Sequence, residues 1–515
     1  MTTLDWSVIG LYLAAMLLLA VYLGRKQGSR EDYYLGGHKL PGWALASSII
    51  ATQCSTNSLL GAPAFVGFVI GGGLLWLQYE LAVPLAMLGL CLLFLPIFRS
   101  GVISIYAYLE QRLGLGARLV ASGCFLFFRG VATGVTVYGV ASVIGLVTGI
   151  PFAWSVFILM GITVTYDALG GMRAVVVSDV LQMILLLAAV LVALVWLAQP
   201  LALHFGDLQQ RAVPLQHDWG LASGNNYGFW PMLFGGLFLY MAYYGCDQSQ
   251  AQRLLSARDE NQLRHILVLN GVLRFPLVLA YCLVGLGLAA YALEHSDFIS
   301  SLPLTESGAP NYNLVFPAFV AREFAPGLAG LAIVGLFAAA MSSIDSALNS
   351  LSASTVEDFI ARFRPLPERS LFITSKVVTV AWGLFAVAFS FQVESIAPTV
   401  LEAINKVGSM ANGPLLMLFT LAILRPRLGQ RAAITGFVGG LLCNLLIWAL
   451  LPSVSWLWWN VSGFVAGWSI AFAASLIGGQ GEKPGEALQL PRRPALQLLA
   501  MFGLILGICV ALWWH

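Results

Sequence analysis

The sequence predicts an all-α polytopic membrane protein of about fourteen transmembrane helices. Three observations predict it. Of the 515 residues, 59% are hydrophobic and only 10% are charged, and the mean hydropathy is +0.84; a soluble domain carries about a quarter charged residues. Apolar runs of about 20 residues, enough to cross a bilayer, recur along the whole chain. The basic residues then segregate to alternate loops, as the positive-inside rule requires.

The candidate spans lie near 6–24, 42–66, 73–98, 117–148, 152–168, 174–198, 227–247, 265–293, 326–355, 371–391, 395–424, 432–451, 455–477 and 495–514. With the N-terminus outside, 20 of the 26 Lys and Arg fall in inside loops. Arg211 and Arg322 fall in outside loops, and Arg129, Arg274, Lys376 and Lys406 fall within spans. Both termini are therefore expected outside. The stretch from Trp6 to Gly24 is followed by RKQGSR and reads as a retained helix, not a cleaved signal. The chain is expected to be one transmembrane domain, 1–515, with the segment GGQGEKPGEALQLPRRP (478–494) setting off the last helix.

Composition also excludes. A net charge of +2 is too small to imply nucleic acid, and the seven cysteines lie in apolar runs without a disulfide framework or a metal-ligand spacing. No GxxxxGK[ST] loop argues for direct ATP drive. No nucleophile–base–orienter set appears in the spans, so the chain is not expected to be an enzyme or to hold a cofactor.

Polar residues inside spans are functional candidates by default. Arg274 and Lys376 lie within a few turns of the expected inner surface and are read as snorkelling. Glu402 and Lys406 stand four apart, the order of a neutralising helix pair. Asp167, close to Arg173, is read as an interfacial charge. That leaves Glu80, Arg129, Asp179, Asp247 and Asp345.

Three stretches concentrate this polarity. In FAAAMSSIDSALNSLSAS (337–354), Ser342, Asp345, Ser346, Asn349 and Ser350 form one stripe at about 100° per residue. A helix–helix seam explains the serines, but a carboxylate in hydrocarbon needs a cation or a proton. In IIATQCSTNSLLGAPAFVGFVIGGG (49–73), Gln53, Ser55, Thr56, Asn57 and Ser58 interrupt an apolar helix before Gly61 and Pro63. This predicts a discontinuous helix whose unwound carbonyls can ligate a cation. YMAYYGCDQSQAQR (240–253) places three tyrosines, a cysteine and an aspartate at the end of a span. A carbonyl-exposing break beside a serine-rich helix supplies the oxygens that a hard cation requires.

With these residues the chain resembles the sodium:solute symporter family. EDYYLGGHKLPGWALASSIIA (31–51) is similar to the family's approach to its first core helix. YDALGGMRAVVVSDVLQ (166–182) is similar to its GG…AV…TD-type signature, and AAMSSIDSALNS (339–350) with ASTVEDF (353–359) to its sodium-site helix and exit. The resemblance implies a LeuT-like architecture of two inverted five-helix repeats, here 42–198 and 227–424, after a leading helix 6–24 and before three more helices in 432–514. It implies a secondary active transporter of a small polar organic solute, with Na+ as the coupling ion, in a bilayer such as a bacterial plasma membrane. A monomer would suffice for transport.

Carried over by residue, the resemblance implies a sodium site from the carbonyls of Ala51, Cys54 and Ala339 and the hydroxyls of Ser342 and Ser343. A second cation site would involve Asp179, Ser342, Asp345 and Ser346, with Asp345 standing where some members have a serine. Solute candidates are Thr56, Asn57, Ser58, Gln78, Glu80, Arg129, Tyr240, Tyr243, Tyr244, Asp247, Asn405 and Asn412. Tyr243 matches an aromatic inner gate of sugar-transporting members. Ser58 and Tyr240 replace a Gln and an Asn those members use, which weakens a galactose-like assignment. Arg129 lies on the helix where sialic-acid members carry an arginine. It is expected either to fork onto a substrate carboxylate or to pair internally with Glu80 or another acid. The alternatives are a neutral sugar or polyol as solute, proton coupling through Asp345 or Asp179, and, outside transport, a membrane solute sensor.

Overall fold

The computed structural model describes residues 2–25, 27–54, 56–304, 308–396, 400–476 and 484–513, leaving aside the side chains at 56, 57, 146, 147, 394–396 and 400–407. The described chain is helical almost throughout. Nine helical segments among the described residues are long and apolar enough to cross a membrane. The expected count of fourteen is not reached by that measure: some expected spans are broken into short halves, one continuous helix covers two of them, and the expected span 395–424 lies partly outside the described residues.

Helix α1 (Thr3–Gly24) opens with a capping box between Thr2 and Asp5. The other oxygen of Asp5, Oδ1, accepts from the N–H groups of Gly327 and Gly330 at 2.7 and 2.8 Å. It thereby caps the distant helix that carries the serine stripe. Helix α2 (Gly42–Gln53) stops where the sequence predicts, and α3 (Thr56–Gly67) resumes beyond Cys54, whose φ of −83° and ψ of 57° leave the helical region. Helix ends leave their last carbonyls without intrahelical partners, so the break exposes oxygens in the protein interior. Helices α4 (Trp76–Glu80), α5 (Ala82–Arg99) and α6 (Leu115–Thr148) follow.

Helix α7 (Phe152–His204) runs 53 residues, about 80 Å at 1.5 Å per residue and far more than one bilayer crossing. It turns at Gly171, where φ is 50° and ψ is −156°. That backbone is nearly confined to glycine, and an added Cβ would lie 2.6 Å from the Tyr33 ring. Helix α8 (Gly236–Cys246) breaks at Asp247, whose side chain accepts from the Ser249 N–H and starts α9 (Gln248–Leu255). After α10 (Glu260–Glu294) comes α11 (Leu328–Ser354), in which nearly every residue is buried. A helix buried on all sides belongs at the centre of a bundle. Helices α12 (Glu368–Ile396), α13 (Val400–Leu424), α14 (Gly429–Leu450), α15 (Trp458–Ser475) and α16 (Arg492–Trp513) complete the chain.

Helix α11 packs most heavily on α7, and also on α1, α2, α6, α9 and α12. Helix α10 packs on α7, α2 and α3. There Gly285 approaches the Pro63 backbone so closely that an added Cβ would sit 2.9 Å from it. The two broken helices, α2/α3 and α8/α9, thus flank α11 and α7.

Candidate functional site

Residues expected at a sodium site meet near the α2 break. The Ser343 hydroxyl donates to the carbonyls of Thr52 at 3.1 Å and Ala339 at 3.5 Å, so it spans from α11 to the broken end of α2. Ser342, one residue earlier, is fully buried, and its hydroxyl has no partner. The Cys54 amide closes the last turn of α2 on Ile50 at 2.7 Å, and Ala51, Cys54 and Ala339 belong to one buried apolar cluster.

Beside this lies a second polar centre. Asp179 on α7 and Asp345 on α11 are both fully buried. Asp179 Oδ2 accepts from the Ser48 hydroxyl and from Arg253 Nη2, the latter at 3.2 Å; Asp179 Oδ1 has no partner. Asp345 accepts from the Tyr166 hydroxyl at one oxygen and from Ser346 at 3.1 Å at the other. Ser346 also meets Thr52 at 3.0 Å. Of the four residues expected at a second cation seat, Asp179 stands on α7 and Ser342, Asp345 and Ser346 on α11, and Arg253 bonds both Asp179 and Ser346.

Several expectations need correction. Arg253 was counted among inside-loop cations, yet its side chain is 1% exposed and wedged between α2, α7 and α11. Arg274 does not snorkel. It lies in the core and holds Glu80 in a two-point ion pair at 2.7 and 3.0 Å, and it also donates to the hydroxyls of Tyr240 at 2.6 Å and Tyr244 at 3.3 Å. Pairing with a buried acid outweighs the reach to a surface. Asp167 is not interfacial: it is fully buried and accepts from Asn349 at 3.1 Å, while Arg173 turns to Asp32 at 3.3 Å. Glu80 is not the partner of Arg129. Lys376 lies over the rings of Phe372 and Tyr33, at 4.9 and 5.9 Å.

The solute candidates divide. Arg129 on α6 meets the α8/α9 break: it donates to the Ser249 hydroxyl, stands 3.5 Å from Asp247 and 5.9 Å from the Tyr243 ring, and its buried Nε has no partner. The Tyr243 hydroxyl accepts from Gln250 at 2.9 Å. Glu80, Tyr240 and Tyr244 form the separate cluster around Arg274. Gln78 is spent on the connection that precedes α8, donating to the Tyr227 carbonyl and accepting from the Gln216 amide at 3.2 Å. Ser58 donates to the Gln53 carbonyl at 3.4 Å, across the α2/α3 break. Asn412 is half-buried on α13. The side chains of Thr56, Asn57, Asn405, Glu402 and Lys406 lie outside the described residues.

The sequence reading missed Arg253, Ser48, Tyr166, Gln252 and the pairing of Arg274. Gln252 donates to Asn349 at 2.8 Å and to the Tyr34 carbonyl at 2.7 Å. The available signal was the run QSQAQR, a fully buried polar octet with Leu254 and Leu255. The partners of Arg253 and Gln252 on other helices come from 74 to 218 residues away, and no local spacing reveals that.

The profile of the "Sodium:solute symporter family" matches residues 33–440. The chain belongs to the sodium:solute symporter family. A symporter of this family shares 28% identity with the human sodium/iodide cotransporter over 455 residues, 86% of this chain and 69% of that protein. It shares 29% with a putative sodium-dependent multivitamin transporter of Drosophila melanogaster, 86% of this chain and 73% of that one. It shares 28% with human sodium-coupled monocarboxylate transporter 1, 86% and 71% respectively. Its fold is that of a Na+-coupled sialic acid symporter in a substrate-bound outward-open state, with a TM-score of 0.82 over 94% of this chain and 100% of that chain, at 23% identity. A nucleobase-cation-symport-1 family transporter superposes with a TM-score of 0.54 over 85% and 92%, at 14% identity. The symporter is thus a membrane-embedded, sodium-coupled solute transporter of LeuT-like architecture.

Proposed function

We propose that this symporter carries a small organic acid, such as a sugar acid, a monocarboxylate or a vitamin, and that Arg129 anchors its carboxylate. The carrying observation is the contrast between the buried Arg274 and the partly buried Arg129. Arg274 is saturated by Glu80 and two phenols, so its charge is spent internally. Arg129 has a loose contact with Asp247, a hydroxyl partner in Ser249, and an Nε without an acceptor. A guanidinium with free donors beside a broken helix suits a planar carboxylate, and Tyr243 supplies a ring above it. The names of the relatives, which include monocarboxylate and multivitamin transporters, favour the same class. Arg129→Ala is expected to abolish sodium-driven uptake of the acid; near-normal uptake by that variant would sink the anchor.

The main sodium ion takes the carbonyls of Ala51, Cys54 and Ala339 with the hydroxyls of Ser342 and Ser343. A second cation sits among Asp179, Ser342, Asp345 and Ser346. Sodium favours the outward-open state only through its differential affinity for the two states, so part of its site must separate when α2/α3 moves from α11. Repeats 42–198 and 227–424 supply that motion, in a single transporter domain that works as a monomer. The membrane is the bacterial plasma membrane with both termini outside, as the 20-to-2 loop asymmetry favours. Proton coupling is the second reading, favoured by Asp167, whose Oδ2 has no partner in the core, and by Asp345, which touches no cation. Uptake driven by a proton gradient in sodium-free medium would decide for it.

A further inference from the structure

Resting on the reading of this chain as a cation-coupled symporter, we infer that Arg253 is a tethered cation that competes with the coupling ion for the second seat. We also infer that α9 carries the state of that seat to Arg129.

Buried guanidinium needs an anion and acceptors. Arg253 finds them among the ligands proposed for a cation. Its Nη2 donates to Asp179 Oδ2 at 3.2 Å and to the Ser346 hydroxyl, and its Nε donates to the Ser48 hydroxyl at 2.5 Å. It engages half of the seat. Asp179 Oδ1 and the Ser342 hydroxyl, both fully buried, have no partner. The charge count agrees. Three fully buried carboxylates, Asp167, Asp179 and Asp345, lie around this point, and Arg253 is the one basic side chain in an ion pair with any of them among the described residues. One guanidinium leaves the centre negative, which favours entry of a cation. Once a cation sits on Asp179 and Ser346, Arg253 loses the two acceptors of its Nη2 and is repelled by the new charge.

Helix α9 gives that displacement a direction. It is eight residues long, all buried, and begins at the Asp247 break, so it can shift as one piece. Arg253 and Ser249 are one turn apart on it. The Nη1 of Arg253 donates to the Ser249 carbonyl at 2.5 Å. The hydroxyl of the same serine donates to Asp247 at 2.6 Å and accepts from Arg129. Arg253 at the cation seat and Arg129 at the proposed solute anchor therefore hang on one residue. With the seat held by Arg253, α9 keeps Arg129 engaged with Ser249 and Asp247. With the seat held by an ion, α9 relaxes and the Arg129 donors pass to the solute. Arg253 is a positioning residue in this scheme and touches no solute.

The test uses the full-length protein and two variants. Sodium alone is titrated into purified protein, with thermal stability as readout and choline as control. Arg253→Gln keeps hydrogen bonding but removes the competing charge, so it is expected to bind sodium about fivefold tighter or more, the lower range of site coupling. Sodium affinity unchanged or weakened in that variant overturns the competition. Ser249→Ala keeps the carbonyl bond to Arg253 and cuts the hydroxyl bond to Arg129. Reconstituted with radiolabelled pyruvate and N-acetylneuraminic acid as probes, it is expected to show a KM for the transported acid that no longer falls as sodium rises, with sodium affinity within about twofold of wild type. A KM that still tracks sodium in Ser249→Ala overturns the relay, even if Arg253→Gln does not fold. Wild-type protein that transports neither acid with sodium contradicts the functional reading instead, while the sodium titration still judges Arg253.

Discussion

At the residue scale the account rests on where buried charges find partners. Glu80 and Arg274 are fully committed to each other and to Tyr240 and Tyr244. Removing one partner leaves the other charge bare in the core, which costs roughly 3–5 kcal/mol. Glu80→Gln is expected to lower the unfolding midpoint in detergent by that margin, and adding Arg274→Gln is expected to recover most of it. Asp345 is the opposite case, a carboxylate with a phenol and a serine but no cation. Asp345→Asn is expected to shift both the midpoint and the slope of sodium-dependent uptake; an unchanged sodium curve would remove Asp345 from coupling. These residues also mark what sequence could reveal. Asp345 and Arg129 stood out because a charge inside an apolar run is visible locally. Arg253 did not, because a loop-by-loop charge count assigns an arginine to water, and only its contacts to Ser48, Asp179 and Ser346 show it is buried. Asp167 was misplaced for the same reason: its neighbour in sequence, Arg173, is not its neighbour in space.

At the scale of elements, the break in α2/α3 was legible as a polar and glycine interruption of an apolar run, the α8/α9 break only as a polar end to a span, and the buried face of α11 as a serine stripe. What held α11 in place was not legible. Asp5 caps its N-terminus from a helix more than 300 residues away in sequence, accepting from Gly327 and Gly330. Asp5→Ala is expected to cost about 1 kcal/mol, the worth of a lost cap, and to speed amide exchange at Leu328–Leu331 while leaving the far end of α11 protected. The other end of α11 runs into a knot of charge: Asp358 accepts from Arg118 at 2.8 Å, Ser104 at 2.8 Å and Ser122 at 2.7 Å, and Glu357 pairs with Arg30 at 2.7 Å. Helix α11 is thus pinned at both ends and polar in its middle, which is the build the proposed cation sites require.

At the scale of the whole molecule, composition and loop charge alone predicted a polytopic helical membrane protein, and the family motifs predicted its architecture. Nine helices among the described residues are long and apolar enough to cross a membrane, against fourteen expected; the α2/α3 and α8/α9 breaks and the continuous helix α7 account for part of the difference. The architecture places three things within one continuous polar path: the α2 break with Ser342 and Ser343, the Asp179–Asp345–Arg253 centre, and Arg129 on the far side of α9. A sodium ion and a monovalent acid moving together carry no net charge, whereas two cations with one acid carry one, so flux and current report different things. The most direct measurement is therefore radiolabelled acid uptake by purified protein in liposomes, under an imposed sodium gradient and, separately, a proton gradient without sodium. Uptake of one acidic compound that requires sodium and disappears in Arg129→Ala is the predicted result. Uptake of a neutral sugar that Arg129→Ala leaves nearly normal, or uptake driven equally by protons alone, would contradict the account.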